Sequence, residues 1–359
     1  MSAAVLLLAL LVLPMTAEAK TRIDFYFYND VLRKDPLKHA LVIFNHKDLQ
    51  GNTRFRTDAH GKVSKVFKEL YRAFQITIVL SDPHFELTQG VFSATERKCT
   101  GGVWTLLTVR EVQRSSKTPT VEVTHLNVPP IWNALQDAYA AVPWAHINAK
   151  PQTVTACESR QKTGGPGGNG FLQGSRQLFV NTRSPNYSPQ VVYHEYGHAL
   201  MYFANGKYSV DGCYSHRVRE VVPATCAWSE GWADFFAMVV TKKPTFQGDD
   251  LEHYRSDIMG TQGYNDEGRV AVGLWDLYDS ANDCNEMHKP EYGQLDGCDV
   301  NAHNTVSFAT MMNVMSRNPA DKANVRSFYR NLAKQLDSTS KAMADQIMYY
   351  NYLSKPPSR

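Results

Sequence analysis

Two short motifs limit what this chain can fold into. Residues 194–198 read His-Glu-Tyr-Gly-His, and residues 230–234 read Glu-Gly-Trp-Ala-Asp. On a helix, positions i and i+4 share a face, so His194 and His198 can aim two imidazoles at one ion. Glu195 lies beside them, placed to take a proton from a metal-activated water. A catalytic zinc site ordinarily has three protein ligands and leaves one position open. Glu230 is the natural third ligand. Asp234 follows it by one helical turn, where a carboxylate can hydrogen-bond the far nitrogen of a ligand histidine. The fold must bring two helices together so that these side chains converge.

The same five-residue pattern can arise by chance on a polar surface helix, where its histidines are simply solvated. The flanks here oppose that reading. Val191, Val192, Tyr193, Ala199, Leu200, Tyr202 and Phe203 surround the motif, so the helix is expected to be buried. Titratable groups on a buried helix need a partner, and a metal ion supplies one. Zinc would lower the pKa of water toward neutrality and polarise a carbonyl. Histidine ligands must be neutral, so acid is expected to remove the metal and the activity together.

The chain has 359 residues, 43% hydrophobic and 20% charged, with a formal net charge of +3. This is a globular composition, large enough for two domains. The small, scattered basic excess offers no footprint for nucleic acid or an anionic membrane. Ala3 to Met15 is almost wholly apolar, and Ala17-Glu18-Ala19 has the small-x-small form of a cleavage site. Residues 1–19 therefore read as a signal peptide, and the mature protein as secreted or periplasmic. No later segment is long and apolar enough to span a membrane. Six cysteines in an exported chain suggest disulfides. Proximity favours Cys213 with Cys226 and Cys284 with Cys298, which leaves Cys99 for Cys157; other pairings stay open.

Arg22–Tyr28, Ala40–His46, Ile76–Leu80 and Thr105–Val112 are rich in β-branched and aromatic residues and read as strands. Residues 20–112 thus form an expected β domain. The polar Ser115-Ser-Lys-Thr-Pro119 marks a linker spanning 113–127. A second domain, 128–359, follows. It is expected to begin with a helix over Pro130–Ala141 and short strands at Thr153–Ala156 and Gln177–Asn181. Thr163 to Gly170 is glycine-rich but lacks the ending of a phosphate loop, so it reads as a surface loop. Ser188-Pro189 should open the metal helix and Asn205-Gly206 close it. Trp228–Val240 and Val270–Tyr278 read as two further helices, and Thr305–Tyr352 as helical with a break near Pro319. Gly197 is expected to let a neighbouring element approach closely. Trp228, Trp232, Phe235 and Phe236 are expected to be core.

His194-Glu-Tyr-Gly-His198 followed by Ser229-Glu-Gly-Trp-Ala-Asp-Phe-Phe236 resembles the gluzincin metallopeptidases, the thermolysin-like group. The closest wording is that of the fungalysin family and related bacterial secreted peptidases, which also carry a segment like Leu274-Trp-Asp-Leu-Tyr278. This resemblance implies zinc ligands at His194, His198 and Glu230, one zinc per chain, the base at Glu195, and Asp234 supporting His194. It implies a zincin-like catalytic domain with an α/β half and a mainly helical half, so an α+β fold behind an N-terminal β-sandwich. Residues from Ala40 to Ile78 are similar to the β-sandwiches attached to many secreted enzymes. The group also supplies a histidine or tyrosine that steadies the oxyanion; the alignment points to Tyr264, with His253 and His303 as rivals. Asp279, Asp283, Glu286, Asp296 and Asp299 could bind calcium, although a solvated acidic loop suits their spacing better. The expected activity is that of a zinc-dependent endopeptidase acting on protein or peptide substrates. An exopeptidase with the same site, or a silent zinc-stabilised adhesion module, are the alternatives.

Overall fold

A computed structural model describes residues 21–29, 35–45, 54–67, 73–93, 96, 98–111, 120–123, 126, 129–159, 168–208, 210, 212–213, 218, 220–251, 263–279, 306–317 and 324–352. The expected signal segment, the polar 113–119 stretch, Cys284, Cys298 and the acidic residues 283–299 lie outside them. The fold is α+β, with sheets toward the N-terminus and helices toward the C-terminus. The chain divides into two compact units. Of the described residues, one takes those from 21 to 38, 42–78 and 106–126; the other takes 39–41, 79–105 and those from 129 onward.

The first unit holds β1 (Thr21–Phe27), β2 (Leu41–Asn45), β3 (Arg54–Arg56), β4 (Lys62–Phe67), β5 (Ala73–Val79), β8 (Thr105–Glu111) and β9 (Thr120–Val123). They form two sheets, ordered β4-β1-β9 and β3-β2-β5-β8. In β1 the alternation is clean: Ile23, Phe25 and Phe27 are buried while Arg22 is exposed. Phe25 meets Phe44 of β2 with ring centroids 4.6 Å apart, so the two sheets share one core as a sandwich. β9 lies within the expected linker. Val121 and Val123 point inward, and the strand pairs in parallel with β1 from Asp24↔Thr120 to Phe27↔Val123. Four residues of alternating pattern suffice to complete a sheet edge.

The expected boundary at 112 also differs from the compact units. β6 (Phe85–Ser93) and β7 (Lys98–Cys99) lie in the second unit, together with β10 (Val154–Glu158), β11 (Gly170–Leu172) and β12 (Gln177–Val180), in a sheet ordered β11-β12-β10-β6-β7. β10 runs parallel to both β6 and β12. A disulfide joins Cys99 to Cys157 across this sheet, the pairing left once the nearer cysteines are matched.

Helix α1 (Ile131–Ala140) and helix α2 (Pro189–Asn205) pack near the sheet: Phe85 of β6 stands edge-on to Tyr139 and to Tyr196. Ser188 occupies the N-cap position of α2 with an extended backbone, but its hydroxyl makes no capping bond; Pro189 opens the helix as expected. Gly206, at φ +75°, closes it, with its N–H donating to the Tyr202 carbonyl at 2.6 Å. Then come α3 (Ala224–Thr241), the hairpin β13 (Thr245–Phe246) and β14 (Asp249–Asp250), α4 (Glu267–Tyr278), α5 (Phe308–Met315), α6 (Val325–Leu332) and α7 (Ser338–Tyr352). Trp228, Trp232, Phe235 and Phe236 of α3 are buried as core; the first meets Phe328 and the others Phe308. Among the described residues no helix is long and apolar enough to cross a membrane.

On the first unit, Asp24 accepts hydrogen bonds from Ser64 Oγ at 2.7 Å and Arg22 Nε at 3.1 Å, and pairs with Lys62 Nζ at 2.8 Å. Partial burial would raise the pKa of its carboxyl, but Lys62, Ser64 and Arg22 prevail and bring it from 3.8 to about 2. A group depressed in the folded state stabilises above its unfolded pKa and loses that contribution as pH falls through the folded value. Asp24→Asn should therefore lower the melting temperature at pH 7. In melts followed by circular dichroism, its gap from wild type should narrow between pH 4 and pH 2.

Candidate metal centre

Helix α2 is buried on every side from Val191 to Met201, which is why its charged side chains must find partners within the protein. Two glycines let α3 come close enough to provide them. A Cβ on Gly197 would stand 2.8 Å from the Ala233 Cα of α3. A Cβ on Gly231 would stand 2.6 Å from both the Glu267 carbonyl oxygen and Val270 Cβ at the start of α4. The first contact is the close approach expected of Gly197; the second extends it to α4. Glu230 and Asp234, one turn apart on α3, therefore reach His194 and His198.

The Glu230 Oε2 atom lies 3.2 Å from His194 Nε2 and 3.1 Å from His198 Nε2. The two imidazole rings stand nearly perpendicular, with centroids 4.9 Å apart. All three side chains are buried, and their ligand atoms lie within 4.8 Å of one another. His194 Nδ1 lies 2.7 Å from Asp234 Oδ1. An Nδ1–H donated to that carboxylate leaves the Nε2 lone pair facing the Glu230 oxygen. Two such lone pairs and a carboxylate repel one another unless a cation or protons lie between them. Donors about 2.0–2.1 Å from a tetrahedral zinc stand roughly 3.3–3.4 Å apart. The two separations to Glu230, 3.2 and 3.1 Å, lie close to that spacing, so His194, His198 and Glu230 could hold such an ion.

Burial favours a neutral His194, yet the bonds to Asp234 and Glu230 hold its pKa well above the ordinary value. Burial would raise Glu230, but the charges and hydrogen bonds of His198 and His194 hold it well below the carboxylate range. Asp234 is pushed up to about 8 by burial and then by the neighbouring Glu267 carboxylate, against the pull of His194. Glu195 is buried on the same turn of α2, and its charge reaches both His194 and Tyr208.

Tyr208 is a residue that spacing did not single out. Its ring lies parallel to His198, with centroids 5.8 Å apart and planes 12° from parallel. Burial, then the Glu230 and Glu195 charges, drive its pKa upward. Gln173 clamps its backbone on both sides, donating to the Tyr208 carbonyl at 3.0 Å and accepting from its N–H at 3.1 Å. Tyr264 is placed differently: the Arg326 guanidinium lies 3.7 Å above its ring. His253 and His303 fall outside the described residues. Phe246, on the β13–β14 hairpin, stacks on His194 at 5.3 Å. Gln190 pins that hairpin, donating to the Thr245 carbonyl and accepting from the Gln247 N–H, each at 2.7 Å. His194 is thus held by Asp234 and Phe246. His198 is held by Tyr208, and its buried Nδ1 has no hydrogen-bond partner among the described residues.

The family model of the mycolysin C-terminal domain matches residues 143–351. The chain belongs to this family. Its domain is one of secreted bacterial metallopeptidases of the thermolysin and fungalysin type. Comparison with curated proteins gives no match. The matched span of this mycolysin-family chain contains α2, α3 and α4, and with them each of the converging donors. A second group of donor atoms adjoins them: Cys213 Sγ, Cys226 Sγ and a Glu230 carboxylate oxygen also lie within 4.8 Å of one another. Cys213 and Cys226 are joined as a disulfide, the pairing their proximity suggested.

Gly231→Ala should lower unfolding free energy by about 1–3 kcal/mol, because α4 must move to admit a methyl group. Urea unfolding measures it. The same variant should retain metal less well, since any shift of α3 carries Glu230 with it; wild-type values for both quantities would contradict the close-approach account.

Proposed function

We propose that this chain is a secreted zinc-dependent endopeptidase whose ligands are His194, His198 and Glu230. The observation that carries the reading is the meeting of Glu230 Oε2 with both imidazole Nε2 atoms, next to Glu195 on the same buried helix turn. Membership of a metallopeptidase domain family supports the same reaction class. Zinc in this position would acidify water and polarise a peptide carbonyl.

The chain's own groups would do the rest. Glu195 accepts a proton from the attacking water and passes it to the departing amine. Asp234 keeps His194 in the tautomer that leaves Nε2 free as a donor. We assign to Tyr208, in preference to Tyr264, the hydroxyl that steadies the developing oxyanion. Its parallel stacking on His198 and the effect of both Glu195 and Glu230 on it support this choice. The expected N-terminal signal segment and the two disulfides among the described residues accord with export.

Glu195→Gln should keep the metal and lose about 10²–10⁴-fold in hydrolysis of a peptide library. Tyr208→Phe should lose about 10²–10³-fold in kcat with little change in KM, whereas Tyr264→Phe should stay near wild type. A Glu195→Gln variant that cleaves normally would remove that residue from the mechanism. The reverse order for the two tyrosines would return the oxyanion role to Tyr264.

A further inference from the structure

We infer that reduction of the Cys213–Cys226 disulfide converts it into a second, sulfur-rich ligand set, made of two thiolates and Glu230, for a soft divalent cation such as zinc. Cys226 and Glu230 lie four residues apart on α3, so one face of the helix presents both. The two sulfurs and a Glu230 oxygen lie within 4.8 Å of one another. Ser229 Oγ lies 4.0 Å from Cys213 Sγ. As a disulfide the pair is a poor ligand for a divalent cation. As thiolates the two sulfurs become strong ones, and zinc accepts sulfur and oxygen in one shell.

Cys226 is fully buried, whereas Cys213 is only half-buried, so Cys213 is the more accessible member of the pair. A dithiol reductant attacks it and forms a mixed disulfide; the Cys213–Cys226 bond breaks and Cys226 leaves as thiolate. The second reductant thiol then closes its own disulfide and releases Cys213. The reductant loses two electrons, the cysteine pair gains them, and a bound cation takes the place of the thiol protons.

Glu230 belongs to both donor groups. With one equivalent of zinc per chain, a cation drawn to the sulfurs is one withdrawn from His194 and His198. The expected loss of hydrolysis on reduction rests on the proposed function; the ligand set itself does not.

The test uses the full-length oxidised protein loaded with one equivalent of zinc and zinc-edge X-ray absorption. Spectra are taken before and after a water-soluble phosphine, followed by anaerobic buffer exchange. Mass-spectrometric mapping shows which cysteines were reduced. Before reduction the shell should contain nitrogen and oxygen at about 2.0–2.1 Å; afterwards it should contain two sulfurs at about 2.3 Å. Cys213→Ser/Cys226→Ser should abolish the sulfur shell. Should that variant fail to fold, zinc should protect Cys213 and Cys226 of the reduced wild type from alkylation. An unchanged light-atom shell with both cysteines reduced would overturn the inference. So would a pair that resists phosphine in the folded protein, or reduced cysteines that zinc leaves open to alkylation. Absence of zinc from the oxidised protein would instead count against the proposed function, leaving the sulfur shell to be judged on its own.

Discussion

Burying a carboxylate between two imidazoles is the constraint to which the rest of the second unit answers. Glu195, Glu230, Asp234 and Glu267 are all buried, along with His194 and His198, and no lysine or arginine is buried among the described residues. Among the described residues, the buried positive charge available to this cluster is that of the imidazoles. Unpaired buried charge costs several kcal/mol per ion, so the arrangement is stable only with geometry that brings opposite charges together. Gly197 and Gly231 permit that geometry by letting α3 touch α2 on one side and α4 on the other. The aromatic packing of α3 on Phe308 and Phe328 then keeps the helix in place.

Much of this site was legible because its residues lie on helices, and a helix converts spacing into direction. His194, Glu195 and His198 share one turn of α2, and Glu230 and Asp234 share one face of α3. The structure brings them together as the period implies. Gly197 was legible for a related reason, since a glycine between charged positions of a buried helix leaves room for a neighbour. Tyr208 was not legible. It follows α2 outside any periodic element, and a pair of hydrogen bonds from Gln173, far away in sequence, sets its position. Tyr264, the tyrosine to which the sequence pointed, has the Arg326 guanidinium over its ring.

The fold was partly legible for similar reasons. Long alternating runs such as β1 announced themselves. β9 did not, because four residues after a polar stretch carry little periodic signal. The allotment of β6 to the second unit was beyond local pattern altogether. It depends on parallel pairing with β10, more than sixty residues later, and on the Cys99–Cys157 bond across the same sheet. Parallel pairing leaves no turn signature between its strands, so only the assembled sheet reveals it.

Anomalous diffraction at the zinc edge, on crystals of the oxidised protein grown with one equivalent of zinc, tests the central claim most directly. The account predicts one strong peak per chain, within bonding distance of His194 Nε2, His198 Nε2 and the Glu230 carboxylate. A chain with no peak there, or with its zinc bound by other residues, would contradict it.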